Sequence, residues 1–148
     1  MASTFKIEID APPERVFDYL ADVRRHTEWA NPKAKMRAEQ TAGEGPGPGA
    51  TYHTQGIFVS KPVSADLTVT AFERPQRFAI RSDQHQDGKK EVWYENEFTL
   101  APRGSGTEVV KRTTSNGNPV MLFIAYPAIR GDAMTSLKNL KAKVESGV

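Results

Sequence analysis

The chain has 148 residues, 38% hydrophobic and 26% charged, which is the composition of an ordinary soluble globule rather than a disordered or membrane-spanning chain. Twenty Lys and Arg stand against eighteen Asp and Glu, a net charge of +2, and no dense basic stripe accompanies that small surplus. An electrostatic nucleic-acid binder is therefore not expected. There is no cysteine, which excludes disulfides, thiolate metal sites and a cysteine nucleophile, and fits a cytoplasmic location.

The opening "MASTFKIEID" lacks a basic segment followed by an apolar run, so no signal peptide is expected. In it Phe5, Ile7 and Ile9 alternate with Thr4, Lys6 and Glu8, the period of a half-buried strand. Pro12-Pro13 ends that strand and pre-sets a helix start, with Glu14 in the positive first turn and Val16, Phe17, Leu20 and Val23 at helical spacing. Asp22 caps a second short helix running to about Trp29, which Asn31-Pro32 stops.

"TAGEGPGPGA" reads as a loop, and it lacks the Gly-Lys-Ser/Thr ending of a phosphate-binding loop. From Ala50 to Ser115 five strand-like runs follow, separated by Lys61-Pro62, Pro75-Gln76, Asp87-Gly88 and "APRGSG", the mark of an antiparallel meander. In the fourth run Val92, Tyr94, Asn96, Phe98 and Leu100 share an enclosed face, and Glu91, Trp93, Glu95, Glu97 and Thr99 a wet one. Asn118 then caps a helix beginning at Pro119, and Ile129, Ala133, Leu137, Leu140 and Val144 carry it on amphipathically, with Pro127 and Gly131 as interruptions and a kink near Pro127. Its most apolar window, "PVMLFIAYPAI", is far shorter than the roughly 20 residues of a bilayer span, so no integral membrane segment is expected.

A strand, two short helices, a run of strands and a long terminal helix make an α+β pattern. "APPERVFDYLADVRRHTEWANP", the turn "GSGTEVV" and the closing "LKNLKAKVE" together resemble the START-like helix-grip superfamily, and more closely its polyketide cyclase/dehydrase and lipid-transport branch, the SRPBCC proteins. The resemblance implies one ligand-binding domain over residues 1–148, a seven-stranded curved antiparallel sheet gripping the C-terminal helix around a hydrophobic pocket. It implies little about function, because that scaffold hosts carriers, cyclases, hydrolases and chaperone activators.

Catalytic signals are sparse. His26, His53 and His85 fall in different elements and form no close pair; His26 and His85 read most simply as surface residues. With no His-x-x-x-His, carboxylate triad or cysteine, neither a metal nor another cofactor is expected, and no Gly-x-Ser-x-Gly is present, so no catalytic residue is assigned. The residues expected to hold a ligand are Trp29, Tyr52, Tyr94, Asn96, Phe98, Lys111, Tyr126 and Arg130: aromatic bodies with polar edges, a polar group on an apolar row, and two cations. Trp29 is expected at the pocket entrance. Thr107, Val109, Lys111 and Thr113 share a face, so Lys111 either points inward with Val109 or lies at the rim beyond the core, and the rim is the expected place.

The first reading is therefore a binding protein for a small hydrophobic or aromatic metabolite or lipid, as monomer or homodimer. The second is an aromatase/cyclase or dehydratase acting on a polyketide-like substrate, with His53, Tyr94 or Glu95 as acid or base. The third is a chaperone-activator-like interaction module using Trp93 and the glutamate row.

Overall fold

The computed structural model describes residues 2–58, 60–85 and 92–147. The expected Asp87-Gly88 hairpin and Glu91 lie outside the described residues. Strand β1 (Ala2–Ile9) leads to helix α1 (Pro13–Leu20), a 3-10 turn (Val23–Arg25), helix α2 (His26–Trp29) and a second 3-10 turn (Pro32–Ala34). Six strands follow: β2 (Arg37–Ala42), β3 (Thr51–Phe58), β4 (Lys61–Glu73), β5 (Arg77–His85), β6 (Val92–Arg103) and β7 (Gly106–Ser115). Helix α3 (Pro119–Glu145) closes the chain.

The strands form one antiparallel sheet in the order β1-β7-β6-β5-β4-β3-β2. β1 and β2 are thus opposite edges, although only α1, α2 and two tight turns separate them in sequence. The short helices carry the chain across the end of the sheet. Extra residues between Gln40 and Ala42 and between Val69 and Ala71 shift the register, and such bulges bend and twist their strands. The result is the helix-grip fold, a curved seven-stranded sheet with α3 laid into its concave side.

Local chemistry explains the helix starts. Pro13 opens α1, the Asp22 carboxylate accepts from the Arg24 amide, and Asn118 Oδ1 accepts from the Val120 and Met121 amides at the head of α3. α3 is gripped along its C-terminal half, where Ala133, Ser136, Leu137, Leu140 and Val144 are buried. Three polar ties pin that half to its surroundings: the Asn31 amide donates to Ser136 Oγ (3.2 Å), Lys141 Nζ donates to the Glu8 carbonyl (2.8 Å), and the Asp10 amide donates to Glu145 Oε2 (2.9 Å).

Three expectations are corrected. α3 runs unbroken through Pro127 and Gly131, for Pro127 lies in the exposed half and the carbonyl it leaves unbonded belongs to Phe123, which is 74% exposed. Lys61-Pro62 is no break but the start of β4, paired with Phe58 and Ile57; among the described residues β5 pairs with β4 from Ser64 onward. β2 has no counterpart among the sequence-predicted elements. It is an edge strand on which only Ala38 and Gln40 are half-covered, so it carries almost no apolar signal.

Candidate functional site

Register across the middle of the sheet builds the floor of a cavity. Phe98 lies opposite Phe78 on β5 and Lys111 on β7, and Lys111 lies opposite Phe5 on β1. One step further along, Asn96 pairs with Ile80 and Thr113, and beyond that Tyr94 pairs with Ser82 and Ser115. Same-face neighbours in register touch, so these rows form one continuous concave surface. Ile129, Asp132 and Ala133 of α3 roof it, and about 200 Å³ remains open between roof and floor.

The wall is more polar than expected. Seven of its eleven described residues carry a polar side chain: Ser82, Gln84, Tyr94, Asn96, Lys111, Thr113 and Asp132. Thr113 Oγ1 donates to Asn96 Oδ1 (2.7 Å), which occupies the oxygen of that amide. Burial pushes the Tyr94 phenol up, opposed by a hydrogen bond with Ser115. Lys111 lies inside, not at the rim. Its ammonium is 5.8 Å from the Phe98 ring centroid, and burial holds it below the usual lysine range, partly countered by the Asp132 carboxylate. The pleat therefore continues inward past Val109 without a bulge.

A surface groove of about 490 Å³ lies between the Pro32–Ala34 turn, the β3–β4 hairpin and α3. Phe58 and Asp132 border both groove and cavity, so they mark the threshold. Gly56 lets the 3-10 turn sit so close: a Cβ there would come within 2.9 Å of the Ala34 carbonyl oxygen.

The remaining expected residues are placed elsewhere. Phe98 is buried beneath the floor. Trp29 is no doorway; it is buried, with its ring 4.8 Å from that of His26, because the Asp22-capped turn directs it into the core. Tyr52 is fully buried on the inner face of β3 and does not border the cavity. The inward stripe of α3 runs through Ala125, Ile129, Asp132 and Ala133, which leaves Tyr126 and Arg130 on the exposed flank. Phe5, Phe58, Ser82, Gln84, Thr113 and Asp132 line the cavity without having been singled out in the sequence. Strand parity from Phe78 and Ile80 points to Ser82 and Gln84; nothing in the sequence singles out Asp132 on its apolar stripe.

The Tyr52 hydroxyl and the Trp29 indole N–H are buried with no hydrogen-bond partner among the described residues. Leaving such a group unmet is unfavourable. Tyr52→Phe is accordingly expected to raise the unfolding free energy by about 1 kcal/mol in urea denaturation, and a loss of that size would show that the hydroxyl has a partner.

His26 is a core residue, its Nε2–H donating to the Leu20 carbonyl (2.7 Å). His53 and His85 do converge, on Asp66: His53 Nδ1 and His85 Nε2 each lie 2.9 Å from a different carboxylate oxygen, on the outer face of the sheet. Pleating puts Tyr52 inside and its neighbour His53 outside. Trp93 also faces outward, half-buried under the Arg81 guanidinium (4.8 Å), and Glu95 accepts from Thr70 Oγ1 there. Of His53, Tyr94 and Glu95, only Tyr94 borders the cavity. No group of three or more His, Asp or Glu among the described residues is arranged to hold a metal ion.

With this geometry in place, a family model described as polyketide cyclase/dehydrase and lipid transport matches residues 2–145. The chain belongs to that family. No curated protein matches this family member in sequence. Among solved structures, a conserved protein from Geobacillus kaustophilus superimposes with a TM-score of 0.80 at 15% identity, over 99% of this chain and 96% of that one. Protein Ms6760 from Mycobacterium smegmatis gives 0.75 at 17% identity, covering 99% and 92%. TTHA0849 from Thermus thermophilus gives 0.74 at 20% identity, covering 99% and 98%. At such identities the likeness shows the fold alone. No helix among the described residues of this cyclase/dehydrase and lipid transport family member is long and apolar enough to cross a membrane.

Proposed function

We propose that the chain binds a compact lipophilic or aromatic metabolite in the cavity between sheet and α3, admitted past Phe58 and Asp132. The observation that carries this reading is the partly open space itself, about 200 Å³, roofed by the same helix that the sheet grips. That volume lies below the roughly 300–1,000 Å³ of drug-sized sites, so a one- or two-ring molecule suits it better than a long-chain lipid. Affinity comes from apolar burial against Phe5, Phe58 and Ile129, less the costs of association. Tyr94, Asn96 and Lys111 orient the polar end.

Native mass spectrometry of freshly purified protein is expected to show a bound small molecule, and the neutral two-ring fluorophore 1-naphthylamine is expected to titrate to a single saturable site. A ligand-free protein with no saturable dye site overturns the reading. The family description also supports a second one, a cyclase or dehydratase in which Tyr94 or Lys111 acts as acid. Incubation with a poly-β-ketone mimic separates the two: recovery of unchanged compound favours binding alone, and turnover favours catalysis.

A further inference from the structure

Lys111 is the one cationic side chain among the described residues that line the cavity, and no acceptor among them lies within hydrogen-bond or ion-pair distance of its amine nitrogen. Its in-register neighbours on both sides, Phe98 and Phe5, are apolar and buried. Asp132 is the only carboxylate among the described residues of the wall, and it sits across the cavity on α3, at the threshold shared with the groove. An interior cation without a close partner is unfavourable for folding. A hydrophobic side chain of the same length would fill the position at less cost, and among the described residues only the Phe98 ring and the more distant Asp132 carboxylate favour the charge.

The donors around it complete the pattern. Asn96 has its oxygen engaged by the Thr113 hydroxyl, so what it presents toward the cavity is its N–H2 group. An ammonium with three donors and an amide with two lie one residue pair apart on adjacent strands, since Lys111 faces Phe98 and Asn96 faces Thr113. This floor is rich in donors and positive in charge, and its complement is an oxygen anion with several lone pairs. The flanking Phe5 and the Phe58 gatepost supply apolar surface for a flat body.

We propose that Lys111, assisted by the Asn96 amide, anchors the carboxylate of a small aromatic acid in this cavity. The proposal rests on the cavity-binding reading above and names the ligand class. Asp132 at the mouth adds selection against a second negative charge, because an acid bearing another anionic group at its far end meets the carboxylate at the threshold.

Calorimetric titration with 2-naphthoate and its uncharged isostere 2-naphthamide tests the proposal. Wild-type protein is expected to bind the acid at least about tenfold more tightly than the amide, the scale of a charge-assisted hydrogen bond. Lys111→Met, which keeps the length of the chain and removes the charge, is expected to weaken 2-naphthoate by about tenfold or more and to leave 2-naphthamide within about twofold. Lys111→Gln, which keeps a donor without charge, falls between. Equal affinities for acid and amide in the wild type, or an unchanged affinity for the acid in Lys111→Met, overturn the proposal. Binding of 1-naphthylamine with no binding of 2-naphthoate overturns the carboxylate anchor and leaves the cavity reading intact. Failure of the neutral dye as well removes both.

Discussion

Phe17→Ala is expected to lower the unfolding free energy by about 4 kcal/mol, measured by urea denaturation with far-UV circular dichroism. Phe17 is fully buried, and its ring meets Phe72 edge-on at 5.1 Å and Phe78 edge-on at 6.4 Å. Phe78 extends the cluster to Phe72, Phe98 and the His26 imidazole, each at 6.3 to 6.4 Å. Truncating a phenylalanine in such a setting costs about 3–5 kcal/mol through lost transfer energy and the void left behind, and edge-to-face pairs add about 0.5–1.5 kcal/mol beyond area. A loss of that size is a large share of the roughly 5–15 kcal/mol that holds a domain together. The expectation has a functional corollary. The interior is divided into a filled half under α1, built from aromatic rings that meet mostly edge-on, and a hollow half under the middle of α3, lined by polar groups. The opening is then a shaped feature walled on one side by rigid packing, not a general looseness. A loss below about 1.5 kcal/mol would mean that the aromatic half is itself loosely packed, and the division would fail.

What could be read in the sequence was whatever local chemistry dictates. Asp22, Asn118 and Pro119 act within three residues of themselves, and Phe5, Ile7 and Ile9 declare their strand by alternation alone. The parts not legible depend on partners far along the chain. Arg24-Arg25-His26-Thr27-Glu28 reads as a solvated run, yet Phe78, fifty-two residues later, closes over the imidazole. Parity within β7 already pointed Lys111 inward. The energetic objection to a buried cation favoured the rim, and only the cavity beside it resolves the conflict. Asn96 shows the same limit: its place on an apolar row was visible, but the Thr113 hydroxyl that fixes which end of the amide faces inward follows from cross-strand register. Tyr52 and Trp29 look like ligand-facing aromatics because a polar edge on a large ring suggests contact with a guest. Their polar atoms are in fact enclosed, with no partner to bond among the described residues. Tyr126 and Arg130 miss the cavity by one position around the helix, a distinction that the stripe of Ile129, Ala133 and Leu137 is too coarse to draw in its more exposed half.

The second large effect is acid sensitivity centred on His26. Burial is the main cause that brings its pKa down from 6.5 to about 4; the nearby Lys111 charge acts in the same direction, and the Leu20 carbonyl and Asp22 oppose it. Between those two pH values the unfolded chain takes up a proton that the native imidazole refuses. Stability therefore rises with pH through this window: the contribution of neutral His26 is complete above about pH 6.5 and is lost progressively as pH falls toward 4. At 1.36 kcal/mol per pKa unit, the loss amounts to about 3 kcal/mol. Asp18, Glu28, Asp66 and Glu145 are also held below their usual values, but their contributions fade at the acid end of the range, where unfolded carboxyl groups begin to take up protons. His26→Gln, which keeps an N–H donor for Leu20 and cannot titrate here, isolates the histidine share. Urea denaturation from about pH 4.5 to 7 is expected to show the wild type losing stability steeply where the variant stays nearly flat, and parallel curves would refute the assignment. Because the Lys111 ammonium helps to keep His26 neutral, Lys111→Met is expected to raise the imidazole pKa and shrink the acid loss. The cation at the floor of the cavity and the histidine in the filled half are then one electrostatic system, and the charge held ready for a ligand is also felt by the core that supports it.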